Sequence, residues 1–170
     1  MKWLGILLIL TASFWIGMEQ SRKLSDRTKQ IRLLRTALQS LEAEIVHGFT
    51  PLHESARKLS ERLPQPLSEL FASFSELLMS TEWDAKEAWK ASLNQVWPRT
   101  ALTQNEWNIL IDFGETVGKY DRLTEQKQIA IAMSHLEHQE EEAREKQRRY
   151  GHMIRSLSLL GGLLIVLLLF

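Results

Sequence analysis

Two glycines four residues apart, Gly114 and Gly118, stand in the stretch FGETVGKYD (residues 113–121), with one acid between them and another just after. Glycines beside charged residues occur in phosphate-binding loops. A loop of the G-x-x-x-x-G-K-[ST] type needs a preceding strand, a wider glycine spacing and a hydroxyl after the lysine, and this stretch has none of these. The sequence therefore does not predict nucleotide hydrolysis.

A second motif with metal-ligand spacing is Glu44-x-x-His47, which places both side chains on one helical face, as in the Glu-x-x-His element of di-iron bundles. Such a centre needs a second copy on another helix, and no other histidine has a glutamate three residues earlier. His135 and His138 also share a face, but the H-E-x-x-H arrangement is absent. A metal-dependent enzyme built on Glu44 and His47 is kept as an alternative.

The remaining catalytic options are excluded by composition. The chain has no cysteine, so it has no thiolate nucleophile, thiolate zinc ligand or disulfide. No G-x-S-x-G motif activates a serine, and equal numbers of basic and acidic residues, 21 of each, do not favour nucleic acid. We expect a protein without enzymatic activity, cofactor, metal, nucleic acid or small-molecule substrate.

Both ends of the chain are apolar, whereas the middle is highly charged. Residues 3–18 and 156–170 carry no charge. A membrane-spanning helix needs about 20 apolar residues, and the flanking Lys2 and Arg155 extend each stretch because long basic side chains reach the interface. The sequence predicts an N-terminal membrane anchor over residues 1–20 and a C-terminal one over 153–170.

Basic residues predict how the chain is oriented. They follow the first apolar stretch and precede or enter the second, whereas only Lys2 lies at the outer ends: Arg22, Lys23, Arg27, Lys29, Arg32, Arg35, Arg144, Lys146, Arg148, Arg149 and Arg155. Positive charge resists translocation, so residues 21–152 are expected in the cytoplasm.

The middle of the chain reads as helix throughout. One apolar stripe recurs at spacings of three and four: Ile31, Leu34, Leu38, Leu41 and Ile45. Gly48 is expected to end that helix, and Thr50 and Pro51 to start the next as cap and first-turn proline. Pro64 and Pro98 end later helices, and Thr103 with Glu106 forms a capping box.

The glycine stretch is then best explained as a helical corner. Gly114 shares a helical face with Leu110 and Val117. A glycine inside a helix lowers helix stability by about 1 kcal/mol relative to alanine. We therefore expect that a neighbouring backbone approaches this position too closely for a side chain. Gly118 is expected to end this helix, and Asp121 to cap the following one.

Six helical segments joined by short corners predict an all-α, six-helix up-and-down bundle flanked by membrane helices. Four tryptophans are expected to fill its core or wedge helix ends: Trp83, Trp89, Trp97 and Trp107. The stretch EHQEEEAREKQRR (residues 137–149) is polar nearly all round, which predicts a solvated stalk or a helix that awaits a partner.

Two stretches carry a resemblance to a known family. They run from Leu38 through Glu42 and Glu44 to Gly48 and Pro51, and from Gly114 and Glu115 through Gly118 and Asp121 to Gln126. With an apolar segment at each end, they make the chain resemble, over its full length, the stage III sporulation protein AB family of endospore-forming bacteria. The second stretch is also similar to the corner of the type II secretion F domain.

The resemblance implies a role in endospore formation. Its members are expected to contribute to a trans-envelope complex between mother cell and forespore during engulfment. The chain would lie in the mother-cell-derived membrane around the forespore, with its helical domain in the cytoplasm. Its expected partners are a secretion-type ATPase encoded in the same operon and other subunits of the complex, with self-association as a further option.

The residues expected to dock a basic partner surface are the acids at the two corners: Glu42, Glu44, Glu115 and Asp121. Helix capping and internal ion pairing are the alternative roles for each of them. A membrane-tethered adaptor unrelated to sporulation is the alternative function besides the metal enzyme.

Overall fold

The computed structural model of the protein describes residues 2–47, 50–80, 82–117 and 122–169. Within the helices, the side chains of 2–10, 13, 45–47, 122–123, 125, 151–152, 155, 158–159, 162–163 and 165–169 lie outside the description. The described residues form six α-helices, one 3-10 turn (Trp97–Arg99) and no strand: α1 Lys2–His47, α2 Leu52–Arg62, α3 Leu67–Met79, α4 Ala85–Val96, α5 Gln104–Thr116 and α6 Arg122–Leu169. The all-α prediction is confirmed.

The chain divides into two compact units, and α1 and α6 contribute to both. One unit is Met1–Thr28 with Glu141–Phe170, and the other, here called the helical body, is Lys29–Glu140. The body contains α2 to α5 complete, and α2, α3, α4 and α5 pack in chain order. Short connections between consecutive helices favour this neighbour-to-neighbour packing.

The expected flanking membrane helices are not found as separate elements, because α1 and α6 continue without a break into the apolar ends. Among the residues that the structure describes, no helix has an apolar stretch long enough to cross a bilayer. That part of the predicted fold is therefore not supported. Many side chains of the two predicted anchors, 1–20 and 153–170, lie outside the described residues.

The centre of the body is built around Trp89 of α4, which is fully buried. Three phenylalanine rings meet its indole edge to face, with centroid distances of 5.9, 5.1 and 5.2 Å: Phe71, Phe74 and Phe113. The indole Nε1 donates to the carbonyl oxygen of Leu110 at 2.7 Å, so the one polar atom of the ring is satisfied. This cluster joins α3, α4 and α5.

Gly114 lies against this cluster, as expected for a glycine on the buried face of α5. The close neighbour is the Trp89 side chain and not a backbone, which corrects the sequence-based expectation. A Cβ built on Gly114 would lie inside contact distance of Trp89 Cδ1, and 3.1 Å from Cγ and Nε1. The indole therefore occupies the space that a side chain at position 114 would need.

The stripe predicted on α1 is buried at Ile31, Leu34, Leu38 and Leu41, whereas the side chain of Ile45 lies outside the described residues. Alanines and serines complete the buried faces of the shorter helices: Ala56 and Ser55 on α2, Ser75 on α3, and Ala88 and Ser92 on α4. Period-3.6 burial of this kind supplies most of the stability of amphipathic helices.

Side chains cap two helix starts, and one of these caps, the capping box of α5, was predicted. Asp84 accepts a hydrogen bond from the backbone N–H of Glu87 at 2.7 Å, and so caps α4. Glu106 Oε2 accepts from the Thr103 backbone N–H at 2.6 Å and from its hydroxyl at 2.8 Å, which gives the predicted capping box of α5. Each cap satisfies backbone N–H groups that a helix N-terminus leaves without an intrahelical partner.

Three corner positions differ from expectation or lie outside the description. Pro51 and not Thr50 is the N-cap of α2, and no side chain caps this helix; the Pro51 carbonyl accepts from Glu54 at 3.0 Å and Ser55 at 3.1 Å. Helix α5 ends at Thr116, with extended backbone at Val117, before Gly118 is reached. Gly48 and Gly118 lie outside the described residues.

We expect Gly114→Ala to lower the free energy of unfolding by about 1–3 kcal/mol, because the added methyl overlaps the Trp89 indole and overpacking outweighs the gain in helix propensity. Urea unfolding followed by circular dichroism measures this. Gly161→Ala is the matched control, since nothing lies within 4 Å of a Cβ there. Unchanged stability of Gly114→Ala would show that the indole has room to move.

Candidate docking surfaces

Glu115 lies at the end of α5 and pairs with a lysine of α4. Its Oε2 lies 2.6 Å from Nζ of Lys86, and both side chains are partly exposed. The hydrogen bond from Lys86 to Glu115 raises the pKa of the lysine, and the charges of Glu115, Asp84 and Glu87 act in the same direction against a smaller effect of burial. Glu115 thus joins α5 to α4 at the surface, next to the start of α4.

Glu42 and Glu44 lie on the last turns of α1 and have different surroundings. Glu42 Oε1 accepts a hydrogen bond from Gln126 Nε2 of α6 at 3.2 Å. Glu44 lines a narrow crevice between α1 and α2, together with Ser40, Leu41, Ser55, Lys58, Leu59 and Arg62. Neither carboxylate is buried, so both are available at the surface of the body.

The structure does not bring the four acids of the docking hypothesis into one described cluster. Asp121 lies outside the described residues. Of the other three, Glu115 contacts α4, Glu42 contacts α6 and Glu44 faces α2. The corner residues Pro51 and Gly114 have the structural roles described above. Docking of a partner by the four acids stays a prediction.

A buried carboxylate on α6 was missed by the sequence analysis. The side chain of Glu140 is 5% exposed, and it accepts from Arg32 Nε at 3.0 Å and from Arg35 Nη1 at 2.8 Å. Arg35 Nη2 also donates to Glu137 at 2.9 Å. Two arginines of α1 therefore bind two glutamates of α6 within the helical body. The buried carboxylate among them, that of Glu140, is satisfied by charge-assisted hydrogen bonds.

This finding corrects the expectation of a solvated stalk over residues 137–149, for which a helix that awaits a partner was the alternative. Glu140 and Ala143 are both buried, and they continue the spacing of Ile129, Ala132 and Leu136 along α6. The regular spacing was the available signal. It was not recognised because a glutamate at a core position is expected only where a partner offsets its desolvation, and the arginines are more than 100 residues away in sequence.

The pKa of Glu140 lies below its ordinary value. Burial is the largest single influence and raises the pKa, but the hydrogen bonds and positive charges of Arg35 and Arg32 together outweigh it. The ionised carboxylate is therefore the form that the folded chain stabilises. A cleft of about 440 Å³ lies beside this network, lined by Arg32, Arg35, Thr36, Gln39, Ala130, Met133, Ser134 and Glu137.

No group of three or more histidine, aspartate or glutamate side chains suitable for a metal ion occurs among the described residues. The side chain of His47, one half of the candidate Glu44–His47 pair, lies outside them. The described carboxylates around the corners instead contact lysine, glutamine or backbone groups, which is the chemistry of caps and ion pairs.

In the described residues, the fold and its surface define an all-helical protein whose charged groups make ion pairs and helix caps. The comparisons identify its family. The family model described as stage III sporulation protein AB matches residues 2–170. Stage III sporulation protein AB of Bacillus subtilis (strain 168) is 45% identical over 169 residues, which cover 99% of each chain.

A solved structure of stage III sporulation protein AB is also similar to this chain. It matches with a TM-score of 0.70 and 46% sequence identity, and the match covers 73% of this chain and 98% of the solved one. The chain therefore belongs to the stage III sporulation protein AB family, as the sequence resemblance predicted.

Glu140→Gln is expected to lower the free energy of unfolding at neutral pH by about 1–3 kcal/mol, because two arginines lose their charged acceptor. Since the folded pKa of Glu140 is depressed, its stabilising effect is present above the ordinary glutamate pKa of about 4.3 and is lost as the pH falls through the folded value. Denaturant unfolding at a series of acidic pH values should show that the free energies of unfolding of the parent and of Glu140→Gln converge as the pH falls.

The control for this substitution is Glu141→Gln, which changes an exposed carboxylate beside it. This variant should stay within about 0.5 kcal/mol of the parent. If the Glu140→Gln curve runs parallel to the parent curve down to low pH, ionisation of Glu140 does not stabilise the body.

Proposed function

We propose that this protein is a non-enzymatic assembly component at a membrane, which docks a secretion-type ATPase within a trans-envelope complex between mother cell and forespore. The observation that carries the proposal is the match to a sporulation family along the whole chain. The same match favours a sporulation role over an unrelated membrane-tethered adaptor. The energy for any transport step then comes from the partner, since the sequence has no phosphate-binding loop of its own.

Attachment to the membrane at both ends is part of this proposal. Its support is the absence of charge in residues 3–18 and 156–170 and the exposure of large apolar side chains in the same segments. On α1 these are Phe14, Trp15 and Ile16, and on α6 Leu157, Leu160 and Leu164. Large apolar side chains exposed in this number are typical of a surface that lipid or another protein covers.

The proposed orientation has the helical body on the cytoplasmic side of the mother-cell-derived membrane. Arginine and lysine residues follow the first apolar segment and precede the second, and such residues resist translocation. They also favour an anionic inner leaflet, at about 1 kcal/mol for each basic residue near the surface.

Docking of the ATPase is assigned to acidic groups on the body, of which Glu115 is the best described. Its carboxylate is 46% exposed although it pairs with Lys86, so a partner arginine or lysine can reach it. Exposed ion pairs contribute at most about 1 kcal/mol to stability, so a change of charge here tests docking without unfolding the body.

A charge swap separates docking from internal pairing. We expect Glu115→Lys to abolish co-purification of the ATPase encoded in the same operon, because a partner cation then meets a like charge. The double variant Lys86→Glu with Glu115→Lys restores the internal pair with its charges exchanged. If Glu115 docks the partner, the double variant stays defective in co-purification from sporulating cells.

Thermal melting of both variants provides the control, and it should match the parent protein. Recovery of ATPase binding in the double variant would mean that only the internal pair matters. Undiminished co-purification with Glu115→Lys, and with Asp121→Lys in a second test, would remove these acids from the docking hypothesis.

A further inference from the structure

The corner between α3 and α4 exposes two large apolar side chains. Met79, the last residue of α3, is 70% exposed, and Trp83, which precedes the α4 cap, is 40% exposed. The two lie within about 14 Å of each other, because four residues of extended chain reach no farther. Tryptophan and methionine are enriched at protein interfaces, and tryptophan is among the residues that contribute most to binding energy.

Trp83 differs from the other tryptophans of the helical body. Trp89 is fully buried, and Trp97 and Trp107 are partly buried and pack edge to face against each other with a centroid distance of 4.8 Å. Trp83 takes part in no described ring contact, so it does not belong to either aromatic cluster. Of the two places expected for the four tryptophans, the core and the helix ends, Trp83 occupies the second, because it directly precedes the cap of α4.

Acidic residues lie close to this apolar pair along the chain. Glu82 and Asp84 flank Trp83 in sequence, and Glu87 lies on the first turn of α4; all three are exposed. Asp84 caps α4, whereas no ion pair or side-chain hydrogen bond is described for the carboxylates of Glu82 and Glu87. Their charges therefore face solvent beside an exposed indole.

The neighbouring lysines do not cancel this charge. Lys86 pairs with Glu115 of α5 at 2.6 Å, so that carboxylate already offsets its charge. Lys90, one turn farther along, is the other lysine of α4, whereas Glu82, Asp84 and Glu87 are three exposed acids at and before the start of this helix. The corner is thus apolar at its centre and negative at its edge.

We propose that the Trp83 surface, defined as Met79, Glu82, Trp83, Asp84 and Glu87, binds an arginine-bearing segment of a partner protein. A guanidinium group stacks on an indole and pairs with carboxylates at the same time, which an ammonium group does less well. The negative charge of the Trp83 surface favours a basic partner. The exposed side chain of Met79 can pack against an apolar residue next to the arginine. The inference rests on the proposed docking function and places its contact at this corner.

The test uses the full chain in detergent micelles and three short synthetic peptides, which alternate leucine with arginine, with lysine or with glutamate. We expect the arginine peptide to bind more tightly than the lysine peptide, and the glutamate peptide not to bind. Trp83→Ala should lower the affinity for the arginine peptide, measured by calorimetry, at least tenfold. The double variant Glu82→Gln with Glu87→Gln should reduce the salt dependence of arginine-peptide binding.

Ile131→Ala is the matched control. Ile131 is 49% exposed on α6 of the same body and has no acidic residue next to it in sequence, so its removal should leave peptide binding unchanged. Circular dichroism melting shows whether each variant keeps its fold, and all the changed side chains are exposed.

Equal binding of the arginine peptide by the parent and Trp83→Ala proteins would overturn the inference, as would equal losses in Trp83→Ala and Ile131→Ala. Self-association of the chain that disappears in Trp83→Ala would also overturn it, because the occupant would then be a second copy. The peptide measurement needs no ATPase. Peptide binding without ATPase co-purification therefore refutes the proposed function and leaves the arginine-binding surface intact.

Discussion

The indole of Trp89 fills the centre of the helical body, and it has this space because residue 114 carries no side chain. Three phenylalanine rings close around it, and the Leu110 carbonyl satisfies its nitrogen. Packing of α3, α4 and α5 depends on this single contact. It sets how closely α5 approaches α4, and Glu115, the residue after Gly114, meets Lys86 of α4 at the surface. The geometry of the surface thus follows from the geometry of the core.

A second constraint acts on the long helices. Glu140 is held by Arg32 and Arg35, which join α6 to α1 within the body. Removal of a buried carboxylate from water is costly and is offset here by charge-assisted hydrogen bonds with two donors. Described polar groups thus join helices or cap them. The family model of stage III sporulation protein AB matches the chain over residues 2–170.

Local signals were sufficient to predict much of this fold. The capping box of Thr103 and Glu106 and the α1 stripe each depend on residues a few positions apart. The helical pattern predicts that Gly114 is tightly packed, but it does not identify the neighbour, because Trp89 is distant in sequence and the cost of a glycine in a helix indicates only that some group lies close. Glu140 was missed for the same reason, because the arginines that offset its burial lie on another helix. Whether Glu42, Glu44 and Glu115 dock a partner depends on a surface of another molecule, which no single chain specifies.

We propose that both ends of the chain lie in a membrane while the helical body faces the cytoplasm. Single-cysteine labelling tests it most directly, because the chain has no cysteine of its own. With the exposed Ser134 replaced by cysteine, a membrane-impermeant maleimide should react with this residue only after the cytoplasmic membrane of the mother cell is permeabilised. Labelling of this cysteine in intact sporulating cells, or recovery of the chain in the fraction free of membranes, would contradict the claim.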